Sequence, residues 1–209
     1  MALVLTIAQQ KGGAGKTMLA ANLAAFWAPT RRVALLDIDP QRSLSHWHRL
    51  RAGAKAAHGA IHLSEVAGWR MAAELDRLRE AHDIVIVDSP PQIETEARLA
   101  IRAADLVLVP VQPSLPDVWA AEGTLKLATA ERRSSLVVLN RAPAKSALRT
   151  QVEAMLRKAD AQVMTATLGN RAGFATAFGR GLGVSETAPK SLAAAEIAAL
   201  AAELWPAGA

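Results

Sequence analysis

Residues 3–17 read LVLTIAQQKGGAGKT, and this stretch decides the fold. Its first part, residues 3–8, is an apolar run rich in β-branched side chains, which predicts a buried strand. A glycine-rich turn follows, and residues 16–28 continue as an Ala/Leu-rich stretch without Gly or Pro, which predicts a helix. The order of strand, glycine turn and helix indicates the first unit of an α/β sheet.

The same alternation continues along the chain. Further apolar runs predict strands at residues 33–39, 83–91, 105–111 and 135–140. We expect helices at 69–81, 93–103, 117–130, 147–159 and 189–204, with a short helix near 171–178. Strands that alternate with helices predict an α/β fold: a single domain over residues 1–209, with a mostly parallel twisted sheet between two layers of helices.

The composition excludes several classes of protein. Of the 209 residues, 51% are hydrophobic and 21% are charged, which is ample for a core and argues against wholesale disorder. The absence of cysteine excludes disulfides, thiolate metal cages and iron–sulfur clusters held by cysteine. No uncharged apolar stretch approaches the ~18–20 residues of a membrane helix, and we see no signal peptide, so we expect a cytoplasmic protein.

The positive charge is concentrated in one part of the chain. The net charge is +5, and residues 120–190 alone hold 11 basic against 5 acidic residues. A solvated basic face is the simpler interpretation. The alternative is a surface that contacts the phosphates of a polyanion without reading bases.

The turn after the first strand has the residues of a phosphate-binding loop. The pattern G-x-x-x-x-G-K-[ST] fits except that Gln10 stands at its first glycine. The glycines let backbone N–H groups converge on phosphate oxygens, and the helix N-terminus adds partial positive charge. Lys16 is expected to reach the β- and γ-phosphates, and the Thr17 hydroxyl to coordinate Mg²⁺. The nucleotide-binding residues expected here are Gly12, Gly13, Ala14, Gly15, Lys16, Thr17 and Met18.

Lys11 is the unusual residue of this loop. It precedes Lys16 by five positions and cannot easily fold back onto its own nucleotide, so it could point outward to the phosphates of a facing subunit. The pattern K-G-G-x-G-K-T resembles the deviant Walker A loop of the ParA/MinD family of P-loop ATPases. The resemblance implies that ATP and Mg²⁺ are sandwiched in a homodimer, and that Lys11 and Lys16 are catalytic.

Carboxylates follow two of the expected strands. Asp37 and Asp39 leave the second strand in the sequence DIDPQ, and Asp88 closes the strand IVIVD. Ligands of open α/β sheets bind beyond the carboxyl ends of strands, so these side chains are expected near the phosphate loop. By the resemblance, Asp39 orients the attacking water, Asp37 supports the Mg²⁺ shell and Asp88 is the acid that holds Mg²⁺. The alternative for Asp39 is a helix cap or turn former.

Two later segments also resemble short ParA proteins similar to ParF. They are V-P-V-Q-P-S at residues 109–114 and the R-x-x-F-x-x-A pattern from Arg171. Asn140 stands where relatives contact the adenine ring, and an amide suits the adenine edge because it both donates and accepts hydrogen bonds. A strand-end turn former is the alternative for Asn140.

The resemblance implies an ATPase that positions DNA or another cargo. The ATP-bound dimer would bind DNA nonspecifically on the nucleoid, and a ParB-like or other small adaptor protein would stimulate an otherwise weak hydrolysis. Assembly into filaments is a further option. The basic residues considered for DNA are Arg141, Lys145, Arg149, Arg171, Arg180 and Lys190, from a segment that also holds Arg157 and Lys158.

Two other functions stay open. A MinD-like ATPase that cycles on membranes would need a basic amphipathic C-terminal helix, but no Lys or Arg follows Lys190, so we expect no membrane binding. A biosynthetic P-loop enzyme of the ligase type would turn over a small molecule. The ParA-like segments after residues 37 and 109 argue against that enzyme.

Overall fold

The computed structural model describes residues 2–66, 70–91 and 95–205. In these ranges the strands are β1 (Leu3–Ile7), β2 (Val33–Asp37), β3 (Ile61–Glu65), β4 (Ile84–Asp88), β5 (Leu106–Val111), β6 (Ser134–Ala142) and β7 (Val163–Gly169). The helices there are α1 (Lys16–Trp27), α2 (Ser43–Ala52), α3 (Met71–Ala81), α4 (Thr95–Ala103), α5 (Leu115–Ala130), α6 (Ala147–Lys158), α7 (Ala172–Phe178), α8 (Val184–Thr187) and α9 (Leu192–Leu204).

The strands form one parallel sheet in the order β3-β2-β4-β1-β5-β6-β7, which confirms the expected α/β fold. β1 lies between β4 and β5, so the turn that follows β1 emerges near the middle of the sheet. The register aligns Asp88 with Ile7 on one side and with Asp37 on the other. The carboxyl ends of β1, β2 and β4 therefore meet at one edge, where α/β sheets bind ligands.

Alternate side chains of each strand pack against opposite layers of helices. On β4, Ile84 and Ile86 face the layer of α1, α2 and α9, whereas Val85 and Val87 face α3 and α4. The helices α5 and α6 extend this second layer over β5 and β6. Both faces of the central strands are covered, which explains why their sequences are continuous apolar runs. No helix in the described ranges is long and apolar enough to cross a bilayer.

Four elements are not predicted by the sequence pattern: β3, β7, α2 and α8. The two strands lie at the edges of the sheet, and the polar residues in IHLSE and VMTATLG weaken the apolar signal of a buried strand. The helix α2 is rich in His and Arg, and α8 is a single turn. Trp69 of the expected helix 69–81, and residues 93 and 94 of the expected helix 93–103, lie outside the described residues.

Candidate functional site

The loop after β1 has the backbone shape of a phosphate cradle. Gly13 and Gly15 have φ angles of 77° and 96°, a left-handed region that side chains with a Cβ disfavour. A Cβ on Gly15 would also come within 2.4 Å of the Asn140 amide nitrogen. Gly15 directly precedes α1, so the free backbone N–H groups at the start of this helix open onto the loop.

Lys16 is enclosed at the base of this loop. The residue is only 6% exposed, and its ammonium donates to the carbonyl of Gln9 at 3.2 Å. Burial lowers the pKa of Lys16, while the negative charges of Asp88 and Asp39 oppose that shift. A buried cation with a single carbonyl acceptor among the described residues is suited to receive the negative charge of a phosphate.

Asp88 has the surroundings expected of a ligand to a metal ion. It is 1% exposed, and within the described ranges neither of its carboxylate oxygens has a hydrogen-bond partner of good geometry. Burial raises the pKa of Asp88 to about 7; the nearby Thr17 hydroxyl opposes the rise and the Asp37 carboxylate adds to it. An enclosed carboxylate with no well-placed hydrogen-bond donor among the described residues fits Mg²⁺, which prefers oxygen ligands. Thr17 and Asp88 are the residues that would hold the ion.

The Asp37 carboxylate is engaged by the protein itself. One oxygen accepts from the backbone N–H and the hydroxyl of Ser45, at 2.9 and 2.7 Å, and the other accepts from the backbone N–H of Asp39 at 3.2 Å. Asp37 thus ties the end of β2 to the first turn of α2. Both oxygens of Asp37 therefore have donors within the protein. Its expected place in the shell around Mg²⁺ stays a prediction.

Asp39 lies in the turn between β2 and α2. One of its oxygens accepts from the backbone N–H of Gln41 at 2.9 Å, the hydrogen bond of an Asx turn. The residue is 9% exposed, and its charge opposes the lowering of the Lys16 pKa that burial causes. Asp39 therefore forms a turn, as one interpretation expects, and also lies within electrostatic reach of the lysine at the phosphate loop. Its action on water stays a prediction.

Lys11 contacts its own subunit. Its ammonium pairs with the carboxylate of Asp117 at the start of α5, which also accepts from the Ser114 hydroxyl at 2.5 Å. Gln112 in the same loop donates its side-chain amide to the carbonyl of Gly13 at 2.9 Å. The segment at 109–114 therefore supports the phosphate loop and the residue beside it. The sequence pattern gives no sign of this ion pair, because Asp117 lies 106 positions after Lys11.

Asn140 contacts the phosphate loop itself. Its amide nitrogen donates to the carbonyl of Ala14 at 2.7 Å, and its amide oxygen accepts from the backbone N–H of Arg141 at 2.9 Å. Beside it opens a cleft of about 360 Å³. The cleft is lined by Met18, Asn140, Arg141, Gly169, Asn170, Arg171, Ala172, Phe174 and Ala175. One face of this cleft is the start of α1, so a base attached to phosphates in the loop would enter it; the contact of Asn140 with adenine stays a prediction.

The basic residues considered for DNA fall into two groups. Arg149 pairs with Glu153 at 2.8 Å and donates to carbonyl groups and to Thr167. Arg171 forms a bidentate ion pair with Glu196, and these hydrogen bonds raise the pKa of the arginine. Arg149 thereby links α6 to β7 through Thr167, and Arg171 links the start of α7 to α9 through Glu196. The candidates that form no ion pair within the described residues are Arg141, Lys145, Arg180 and Lys190.

The chain has recognisable relatives. Residues 5–184 match the family model described as the CobQ/CobB/MinD/ParA nucleotide binding domain. The maintenance of carboxysome distribution protein A of Halothiobacillus neapolitanus is 29% identical over 201 residues, which cover 93% of this chain and 92% of that protein. The chromosome-partitioning ATPase Soj of Thermus thermophilus is 32% identical over 189 residues, covering 73% and 75%. The septum site-determining protein MinD of Pyrococcus horikoshii, solved with Mg-ADP, has the same fold with a TM-score of 0.79 at 18% identity, covering 99% of this chain and 97% of that one.

Proposed function

Because the chain belongs to the CobQ/CobB/MinD/ParA family of nucleotide-binding proteins, and is an ATPase that takes ATP with Mg²⁺, we propose that it positions a cargo by cycling between a DNA-bound homodimer and free subunits. The two relatives described above are named for the distribution of carboxysomes and the partitioning of chromosomes. Both names concern the placement of a large cargo, which supports positioning over the turnover of a small molecule.

The observation that carries this proposal is the presence of two lysines with different surroundings on one phosphate loop. Lys16 is enclosed and directed into the site of its own subunit, whereas the side chain of Lys11 is 40% exposed and is held beside the site by Asp117. One nucleotide needs one such lysine at its β- and γ-phosphates. The second lysine is then available to the phosphates of a facing subunit, and bound ATP would stabilise the dimer.

The side chains around the loop have separate roles in hydrolysis. Lys16 holds the terminal phosphates, and Asp39 orients the attacking water from the turn that Asp37 anchors to Ser45. Mg²⁺, held by Thr17 and Asp88, would neutralise phosphate charge. The enclosed position of Lys16 and Asp88 excludes bulk water and strengthens each electrostatic contact in the site.

DNA binding is assigned to the basic residues that the fold leaves unpaired. Arg141 is in the last residues of β6 and Lys145 lies in the loop that follows, while Arg180 follows α7 and Lys190 precedes α9; all four are exposed. Phosphate contacts from such residues bind any sequence. Two subunits joined through ATP would present two such sets, so affinity for DNA would depend on the nucleotide. An adaptor protein on the cargo would stimulate hydrolysis and release the DNA.

The test compares DNA binding with and without ATP. The protein is titrated onto random-sequence duplex at low salt with a non-hydrolysable ATP analogue, with ADP and without nucleotide, and we expect retardation with the analogue alone. Log K for DNA falls as log salt rises. In the double variant Lys145→Ala/Lys190→Ala this fall should become less steep, by about 0.9 in slope for each phosphate that is no longer neutralised. The matched control is Arg157→Ala/Lys158→Ala, which removes the same charge from the far end of α6.

The possible outcomes separate the parts of the proposal. If the analogue-bound protein dimerises on a sizing column but does not retard DNA, the DNA step is wrong. Equal weakening in the test and control variants would mean that overall charge, rather than this surface, binds DNA. Flotation of the analogue-bound protein with anionic liposomes would support the membrane-cycling alternative instead.

A further inference from the structure

Arg42 has an unusual backbone conformation beside the catalytic turn. Within the described ranges four residues other than glycine have a positive φ, and three of them are arginines: Arg42, Arg132 and Arg141. Arg42 immediately precedes α2 with φ 53° and ψ 31°. The left-handed region disfavours any residue with a Cβ, and glycine or asparagine normally takes such positions. Arg42 lies three residues after Asp39, and a strained backbone of this kind persists only where surrounding contacts stabilise it, so the contacts of its side chain matter.

The side chain of Arg42 turns back onto the strand that precedes it. Its guanidinium donates to the carbonyl of Asp37 at 2.8 Å. Its backbone N–H donates to the carbonyl of Asp39 at 2.9 Å, and its own carbonyl accepts from the backbone N–H of His46 at 3.0 Å. Arg42 thus links the last residue of β2, the middle of the turn and the first turn of α2. The hydrogen bonds of Arg42 therefore hold its own end of the turn against Asp37, where the turn begins, and Asp39 lies between these two residues.

The contact of Arg42 is distinct from the contacts that hold α2. The Asp37 carboxylate binds Ser45, so the start of α2 stays attached to β2 without the guanidinium. No carboxylate of the described residues forms an ion pair with Arg42, so charge pairing does not compensate the strain. Within the described ranges, the hydrogen bond to the Asp37 carbonyl is what the side chain contributes. Its effect is local to the turn.

We propose that Arg42 is a positioning residue for ATP hydrolysis: its guanidinium clamps the turn that carries Asp39 and so fixes where that carboxylate meets the attacking water. The inference rests on the role proposed above for Asp39. A clamp of this kind favours one conformation of the turn without touching the nucleotide. Removing the guanidinium should therefore lower kcat and leave the KM for ATP unchanged.

Arg42→Gly is the informative variant, because glycine removes the guanidinium and also accepts the left-handed backbone. We expect kcat to fall by about ten- to a hundred-fold, the effect of a small misplacement of a catalytic group. The thermal midpoint should stay the same or rise, since strain is relieved. Arg42→Lys keeps a cationic donor, and it should recover part of the parent kcat. In nucleotide-free protein, the backbone amides of Ile38, Asp39 and Gln41 should exchange hydrogen faster in Arg42→Gly than in the parent.

Arg132→Gly is the matched control. Arg132 has φ 55° in the loop after α5, is exposed and lies outside the proposed site, so its replacement relieves similar strain and should leave kcat unchanged. If Arg42→Gly keeps the parent kcat while Asp39→Ala loses hydrolysis, Arg42 does not position the turn and this inference is overturned. If Asp39→Ala itself hydrolyses ATP normally, the fault lies in the proposed role of Asp39. A rise in KM with constant kcat would also overturn the inference, because Arg42 would then act in binding.

Discussion

The ion pair between Lys11 and Asp117 predicts that a single neutral substitution strengthens ATP-driven dimerisation. In the proposed dimer Lys11 must leave Asp117 to reach the nucleotide of the other subunit. Asp117→Asn removes the negative charge and keeps the side-chain volume. The amide oxygen can still accept from Ser114, so the start of α5 stays in place. The lysine is then free to reach across, and the ATP-bound dimer should form at lower protein concentration.

The expected size of the effect follows from the exposure of the two side chains. The Lys11 side chain is 40% exposed, whereas that of Asp117 is 1% exposed. An exposed pair is worth roughly 0–1 kcal/mol and a broken buried pair about 3–5 kcal/mol. Because solvent screens the lysine end, we take about 1 kcal/mol for each subunit. Two pairs break in each dimer, so the dissociation constant should fall by about 30-fold, which corresponds to about 2 kcal/mol.

Sedimentation over a series of protein concentrations, with a non-hydrolysable ATP analogue, measures this constant. Lys11→Ala should lose dimerisation and keep most of its nucleotide affinity. Asp117→Asn should then have no further effect in the Lys11→Ala background. Asp76→Asn, which neutralises an exposed carboxylate on α3, is the charge-matched control and should dimerise like the parent. An unchanged or weaker dimer of Asp117→Asn would refute the reasoning.

Three further predictions concern stability. Burial raises the pKa of Asp88 from 3.8 to about 7, so between pH 3.8 and 7 the folded protein without Mg²⁺ binds a proton that the unfolded chain has lost, and its stability falls as the pH rises through this range. Asp88→Asn carries no such charge, so in urea unfolding it should be up to about 4 kcal/mol more stable than the parent at pH 8 and no more stable at pH 4. Gly123→Ala would bring a Cβ within 2.3 Å of the Gln10 side-chain amide, but that flexible side chain can move aside and alanine favours the interior of α5; the free energy of unfolding should therefore stay the same or rise by up to about 1 kcal/mol, and a loss of stability in urea unfolding would contradict this. Glu186→Gln leaves the enclosed guanidinium of Arg51 without its charge partner, so thermal unfolding should show a destabilisation of about 3–5 kcal/mol, and an unchanged midpoint would mean that this pair adds nothing.

The phosphate loop and the central strands could be predicted because their information is local. The turn at residues 11–17 is contiguous, and the glycines, Lys16 and Thr17 follow directly from what phosphates require. The strands near β1 are covered on both faces, so their sequences are plain apolar runs. The edge strands β3 and β7 are partly exposed, and their mixed sequences carry no such signal.

The roles of single polar side chains are harder to predict. Asn140, whose contact with adenine stays a prediction, also donates to the carbonyl of Ala14, and neither this bond nor the one between Asp37 and Ser45 has a counterpart in the sequence pattern. Arg171 is a candidate for DNA on the basis of a motif, yet it pairs with Glu196. A residue type restricts which partners a side chain can accept, but the neighbours that the fold supplies select among them.

The sequence by itself therefore determined the order of strands and helices, the phosphate loop, and the acidic residues at the ends of the strands. The tertiary structure decided which distant side chains meet: Lys11 with Asp117 across 106 positions, and Arg51 with Glu186 across 135. The physical reason lies in the sheet. Backbone propensity and hydrophobic periodicity act over a few residues, whereas the order β3-β2-β4-β1-β5-β6-β7 is set by packing of the whole chain, and that order chooses which loops become neighbours.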